Sequence, residues 1–463
     1  MVTPVTSFVQ LHLTKIEIMK TTLVLIVLCV SGALGQEPLT LRDAVRLAVK
    51  QNKSLESSTA AESASQARIA EARSGLLPRV NYSESWARSD NPVFVFSSLL
   101  TQHQFGAQNF AIGSLNRPDF LNNFQSQLTA DQPLYDAGKT KRATRTAEIS
   151  KTLRVEETRR IRMEVIAGVV RAYFDAQLGV EQLDATHQAM RSAEADLTRA
   201  EARRSAGMTT DVDVLSIRVH LAAVREQEQQ RLADLDVAKA SLNDWMALPL
   251  DSPHSLATKL SPLPLVHPSL AAYEAQSASQ RPETLQTKSA KDLSEIKAKE
   301  ARASLLPEVS AHAAFEADRQ RFYDRGGANW LVSIGLRWNL FNGFGDKARI
   351  AEAEAGIRQA SADQQRADSA VRMQVRRAWA FLNAAEQRME TANATVAEAE
   401  ESLRISQNRY DAGLATITDL LRVETALLET RTRYVAAVHD QRVGAALLEL
   451  AAGTISTDSE VLN

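Results

Sequence analysis

The chain has one cysteine, 18 glycines, 13 prolines and 5% aromatic residues in 463, which leaves little material for several common protein plans. The single thiol, Cys29, excludes an internal disulfide framework and a multi-thiolate metal site. Proline is both scarce and segregated, with none between Pro133 and Pro249 and none after Pro307. Stretches of about 115 and about 155 residues therefore carry no helix breaker, which argues against a sandwich of short strands. Charge is balanced, 54 Lys and Arg against 56 Asp and Glu, so nothing in it points to nucleic acid. Beyond the N-terminus no apolar run approaches the ~20 residues of a membrane-spanning helix. Disorder is excluded by a hydrophobic content of 44%.

What is present begins with an address. Met19-Lys20 precedes an apolar run from Leu23 to Val30, and Ala33-Leu34-Gly35 supplies small residues for cleavage before Gln36. Residues 1–35 read as a secretory signal peptide, with Met19 the expected start. Leu28, before Cys29, is too large for a lipoprotein cleavage box, so no lipid anchor is expected. The mature chain is read as exported.

The sequence repeats itself. Arg73-Ser74-Gly75-Leu76-Leu77-Pro78 returns as Arg302-Ala303-Ser304-Leu305-Leu306-Pro307, a shift of 229. Leu134-Tyr135-Asp136 returns as Leu340-Phe341-Asn342, Ala206-Gly207 as Ala412-Gly413 and Asp213 as Asp419, each 206 apart. A constant offset of this kind indicates a duplicated unit. The expected organisation is a first repeat over 36–248, a Pro-rich linker over 249–268, a second repeat over 269–453 and a C-terminal tail over 454–463.

Each copy reads as a helix, two strands and two very long helices. The first helix is expected from Leu39 to about Ser74, with Thr40 as N-cap and no break. Beyond Pro78 the period changes to two. Phe124, Leu128, Ala130 and Leu134 alternate with polar residues over 123–134, as do Trp330, Val332, Ile334, Leu336, Trp338 and Leu340 over 329–341. Partner strands near 79–86 and 308–316 alternate less cleanly. An apolar face about ten residues long with aromatic ends fits a membrane-barrel strand, and the ordinary alternative is a half-buried strand of a soluble sheet. The export signal and the long helices favour the barrel. The segment 139–206 lacks proline, and 211–248 carries apolar residues at seven of nine positions spaced in threes and fours, interrupted by Glu228 and Arg231. That spacing makes a coiled-coil seam. Gly207 and Gly413 mark tight turns between helices.

These residues together resemble the TolC-like outer-membrane efflux proteins. The resemblance is carried by Thr40-Leu41-Arg42-Asp43-Ala44-Val45, both Leu-Leu-Pro turns and Arg281-Pro282-Glu283. It continues in Leu340-Phe341-Asn342-Gly343, Asn408-Arg409-Tyr410-Asp411-Ala412-Gly413 and Thr418-Asp419-Leu420. It implies an α+β membrane protein of the Gram-negative outer membrane. Four strands per chain would build a trimeric twelve-stranded β-barrel, continued by a long α-helical coiled-coil tunnel in the periplasm. The implied partners are two further copies in a homotrimer, a periplasmic adaptor protein, an inner-membrane pump and outer-membrane lipid, with no nucleic acid.

By the same resemblance, Asp419 and Arg422 belong to a pore constriction, and Asp213 and Tyr410 to the polar network that closes it. An Asp early in a helix also complements the helix dipole, so the capping and pore readings both stand. Two departures from the family pattern matter. Ala415 replaces an Arg that pairs with the position of Asp213 in some members, and Arg422 replaces a second ring Asp. Arg422 is placed to pair with Asp419 instead. Arg204, Gly207, Met208, Asp411, Gly413 and Leu414 are the candidate adaptor-docking tips; a loop-capping role is the alternative.

Histidines 12, 103, 187, 220, 254, 267, 312 and 439 form no ligand spacing, and no catalytic motif is present, so no metal, cofactor or enzymatic activity is expected. The first copy's extra 23 residues (229 − 206) fall in the aromatic segment 91–122. That segment is read as an extracellular loop, either a partial lid over the barrel mouth or a pad on its outer rim. The function expected is a passive exit duct of a tripartite pump exporting small molecules such as drugs or metal ions. The alternatives are a type I protein-secretion outlet and a periplasmic coiled-coil adaptor or scaffold that never inserts.

Overall fold

A computed structural model describes residues 38–264 and 268–463; the signal peptide, Cys29 and His267 lie outside them. The chain divides into two compact units. The first comprises the described parts of 1–53, 162–273 and 375–463, and the second 54–161 and 274–374. Two helices of 67 residues each, α5 (Lys139–Ser205) and α9 (Gly345–Asp411), run through both.

The first unit is helical. α1 (Leu41–Gln51) starts at Thr40, whose side chain accepts the Asp43 N–H as the sequence led one to expect, and buries Leu41, Ala44, Val45 and Ala48. The expected unbroken first helix is in fact two. Asn52 leaves helical geometry (φ −59, ψ 127) and donates from Nδ2 to the Trp245 carbonyl at 3.1 Å, before α2 (Lys53–Arg73) begins. Asparagine needs no proline to break a helix when its amide finds a better partner than its own turn. The core is Ile166, Val169, Val170, Tyr173 and Phe174 of α5, Leu242 and Met246, and Leu382 and Leu448, all nearly inaccessible. Tyr173 Oη donates to the Leu39 carbonyl and accepts from the Thr258 N–H, both at 2.8 Å. The Pro-rich segment is therefore bound down where it is described. Asn243 Nδ2 holds the carbonyls of Leu250 and Ser252, each at 2.8 Å. The C-terminal residues are packed as well: Val461 and Leu462 are buried, and Arg442 Nη1 donates to the Asn463 carbonyl at 2.7 Å.

α6 (Asp211–Trp245) buries Val214, Ile217, Leu221, Val224, Leu235 and Leu242, six of the seam positions marked by the spacing. Glu228, one of the two interruptions, meets His187 at 2.9 Å. The last helix, α10 (Ile417–Ala452), ends at Gly453 in the left-handed region (φ +83).

The second unit contains α7 (Leu270–Gln280) from Glu274 onward, α8 (Pro282–Ala303) and a four-stranded antiparallel sheet. The strands are β1 (Arg79–Ser89), β2 (Leu121–Tyr135), β3 (Glu308–Arg319) and β4 (Gly327–Arg337), in that spatial order. Two ion pairs recur at positions related by the sequence offsets. Arg73 pairs with Glu148 at 3.3 Å, and Arg302 with Glu354 at 2.8 Å, each partner displaced by its repeat offset.

Register assigns the two faces of the sheet. Val80, Tyr82 and Trp86 stand opposite Ala130, Leu128 and Phe124; across β2 and β3 they continue into Ala313, Phe315, Val332 and Trp330. Trp330 and Ile334 are 78% and 71% exposed, far from what a buried soluble sheet would show. The other face carries Asn81, Ser83, Gln125, Gln127, Thr129, Ser310, His312, Ser333 and Arg337. One apolar face and one polar face across all four strands is the pattern of a lipid-facing wall with a wet interior. Glu84 interrupts the apolar face and is matched there. Arg319 Nη2 reaches Glu84 Oε1 at 3.0 Å across β2, and Tyr82 Oη donates to Glu84 at 2.8 Å.

The segment joining β1 to β2 contains α3 (Pro92–Thr101) and the short α4 (Ile112–Asn116), with Phe96, Phe105 and Phe110 packed edge to face. Gln102, 2% exposed, donates to the Asn122 carbonyl at 3.0 Å and to Asn123 Oδ1 at 2.8 Å. Asn329 Nδ2 donates to the Thr101 carbonyl at 3.1 Å. Asn123 and Asn329 belong to the polar face, so this segment is anchored on the polar face of the sheet.

Candidate functional site at the helical turns

Residues 206–210 join α5 to α6, and 412–416 join α9 to α10, all within the first unit. The Met208 N–H returns to the Arg203 carbonyl and the Leu414 N–H to the Arg409 carbonyl, each at 2.8 Å, which closes the ends of α5 and α9. Gly207 and Gly413 hold φ +73 and +74 with open space around them, so backbone conformation rather than crowding requires glycine.

Each following helix opens with the same box. Thr210 Oγ1 accepts the Asp213 N–H at 3.3 Å while Asp213 Oδ2 accepts the Thr210 N–H at 3.1 Å. Thr416 and Asp419 repeat this at 3.2 and 3.3 Å. The Thr209 hydroxyl, donating at 2.7 Å, is the largest influence holding the Asp213 carboxyl below its ordinary value. The Thr416 hydroxyl does the same for Asp419, with Arg422 3.6 Å away adding to it. Both acids thus cap their own helices. Asp419 and Arg422 remain exposed, with side-chain accessibilities of 51% and 78%.

The hairpins meet on Ala200, Val214, Ile217, Ile417 and Leu420, with Leu197, Leu403, Tyr410 and Leu421 packed around them. Tyr410 is brought together with Arg203, whose guanidinium lies 5.1 Å over the ring and donates to Asp411 Oδ1 at 3.0 Å. Burial pushes the Tyr410 hydroxyl up. The hydrogen bonds of the Asp213 carboxylate go to Thr209 and Thr210 and not to Tyr410. Of the tip residues, Met208 and Leu414 are 76% and 69% exposed, Arg204 lies 3.5 Å from Asp211, and Asp411 is engaged by Arg203.

Three residues escaped the sequence reading. Arg203 looks like any charged residue of a helix end. Asp196 and Glu424 are buried acids, and Glu424 did carry a signal: 417, 420, 424 and 427 are spaced in threes and fours, and only 424 is not apolar. The histidines are dispersed, as His439 beside Asp175 at 2.8 Å and His312 beside Asp131 at 2.7 Å illustrate.

Residues 44–247 and 275–454 match the outer membrane efflux protein family. The chain belongs to that family. The efflux protein BepC of Brucella suis is 24% identical over 418 residues, covering 85% of this chain and 88% of that one. The alkaline protease secretion protein AprF of Pseudomonas aeruginosa is 23% identical over 429 residues, covering 90% and 85%. Among solved structures, the Campylobacter jejuni CmeC outer membrane channel superposes with a TM-score of 0.77 at 16% identity, covering 91% of this chain and 87% of that chain. Family membership makes the protein a homotrimeric outer-membrane channel of a Gram-negative bacterium, with a barrel and a periplasmic helical tunnel. It serves efflux or secretion systems with an adaptor and an inner-membrane pump, and it catalyses no reaction. The reading as a scaffold that never inserts is set aside.

Proposed function

We propose that the protein is the exit duct of a tripartite efflux pump for small molecules, such as drugs or metal ions. The inner-membrane transporter supplies the energy, and the adaptor docks at Arg204, Gly207, Met208, Asp411, Gly413 and Leu414. The observation that carries the small-molecule reading is the α3 segment tied to the polar face through Gln102, Asn123 and Asn329. A lid on that side of the wall narrows the mouth, which suits small solutes better than a protein chain. Closure lies at the helical turns. There, three copies of Asp419 favour cations and three copies of Arg422 moderate the ring, while Tyr410, Arg203 and Asp411 link the hairpins; Asp213 fixes the start of α6.

A secretion outlet is the second reading, favoured by the length of the match to AprF. One deletion strain separates the two. Accumulation of dyes and antibiotics should rise while the set of secreted proteins stays unchanged. Lost secretion with unchanged accumulation would give the protein to the second reading.

A further inference from the structure

Beneath the turns, two carboxyl groups are buried against each other. Asp196 of α5 is 3% exposed and Glu424 of α10 is 7% exposed, and they lie within hydrogen-bonding reach. Arg199 binds Asp196 Oδ1, and Ser192 Oγ donates to Glu424 Oε1 at 2.7 Å. The remaining oxygens, Asp196 Oδ2 and Glu424 Oε2, are enclosed and meet no donor. Two buried carboxyl groups in reach of each other, each with an oxygen that meets no donor, are costly in a protein interior, and a single proton between them supplies what is missing. The pair also breaks the duplication. Ser402 stands at the repeat position of Asp196, and Arg218 at that of Glu424, so the plan of the repeat does not explain it.

We propose that Asp196 and Glu424 share one proton and form a pH-operated latch between α5 and α10, closed while the proton is held and forced apart when it leaves. The surroundings fit. From α5, Arg199 faces Asp196 and also lies 3.9 Å from Asp411 of α9. Tyr410 of α9 is close enough to feel the Asp196 charge. His220 of α6 places Nε2 3.7 Å from Glu424 Oε2. A cavity of about 160 Å³ lined by Ser192, His220, Leu403, Glu424 and Arg431 adjoins the Glu424 side of the pair, with room for water once Glu424 ionises. Arg431 is itself turned to Glu400, at 2.7 Å.

The direction follows from linkage. Burial first, and then Asp196, push Glu424 up to about 8 from an ordinary 4.5. An acid raised in the packed state stabilises packing while protonated. The stabilisation is complete below 4.5, declines as pH rises and is lost above about 8. Burial lowers His220 below 6.5, so its charge appears only at the acid end, where it opposes the latch. The hairpins therefore loosen as the medium turns alkaline.

The inference uses the closing end assigned above, so its test has two readouts. Purified trimers in planar bilayers are followed from about pH 5 to about pH 8.5, with hydrogen exchange of residues 192–203 and 420–431 measured in parallel. The open probability of the unaltered protein should rise at least about tenfold, the equivalent of one pKa unit, while protection falls. Glu424→Gln, whose amide donates to Asp196 at every pH, should stay closed and protected throughout. Asp196→Asn removes the like charge and should flatten the response from the other side. An unchanged pH response in both variants overturns the latch. So does flat protection in the unaltered protein, with no variant needed. Protection that follows pH in trimers conducting at no pH would support the latch and remove the duct reading instead.

Discussion

Arg203 and Asp411 lie 3.0 Å apart, and through them the last turn of α5 is fastened to the last turn of α9. The guanidinium also covers Tyr410, so one side chain makes an ion pair and a ring contact at once. The ion pair is partly exposed and contributes up to about 1 kcal/mol, and the ring contact about as much again. Arg203→Ala should raise the open probability of bilayer-inserted trimers by about tenfold. Arg203→Lys should recover the ion pair without the planar stacking, and so only part of the closure.

The paired caps make a second prediction. Thr416→Ala and Thr210→Ala should each destabilise the start of a helix by about 1 kcal/mol, and Thr→Ser should restore most of it. Thr416→Ala should also let the Asp419 carboxyl move up toward its ordinary value of 3.8. An acid lowered in the folded state stabilises at neutral pH, and that contribution is lost as pH falls through its folded value. Cation selectivity of the variant channel should therefore fade at a higher pH than that of the unaltered one, as reversal potentials in a salt gradient would record.

On the apolar face of the sheet, Glu84 and Arg319 depend on each other. Arg319→Leu alone leaves a carboxylate facing lipid and should destabilise the barrel by about 2–4 kcal/mol. Glu84→Leu with Arg319→Leu should regain most of that loss. Urea unfolding from lipid vesicles distinguishes the two outcomes.

Gly327 offers a way to displace the segment between β1 and β2 without deleting it. A Cβ there would stand 2.1 Å from the Thr101 carbonyl oxygen, a distance backbone cannot accept. Gly327→Ala should push the segment off the polar face and raise single-channel conductance in the same direction as removal of residues 92–119. Unchanged conductance in both would place the segment outside the conducting path.

Much of this was legible before any coordinate. The offsets of 229 and 206, the seam of α6, both left-handed glycines and the threonine before α1 are local or periodic signals, and local physics decides them. What failed to show depends on contacts between distant residues. The weak alternation of β1 and β3 has a reason only when Glu84 meets Arg319 across β2. Gly168, within α5, is where Trp245 rests; a Cβ would approach its ring to 2.6 Å, and Gly168→Ala should cost about 1–3 kcal/mol. The Asn52 break depends on Trp245, 193 residues away. Asp196 and Glu424 are ordinary acids until the helices place them together.

β1 and β4 are the outer strands of an open sheet among the described residues, each with one side unpaired. A lone subunit therefore carries two adhesive borders that only its siblings can cover. Inheritance of defects changes accordingly. In a cell making equal amounts of sound and border-damaged chains, roughly one assembly in eight contains sound chains alone. A harmful allele at either border should thus be dominant, whereas a null allele should be recessive.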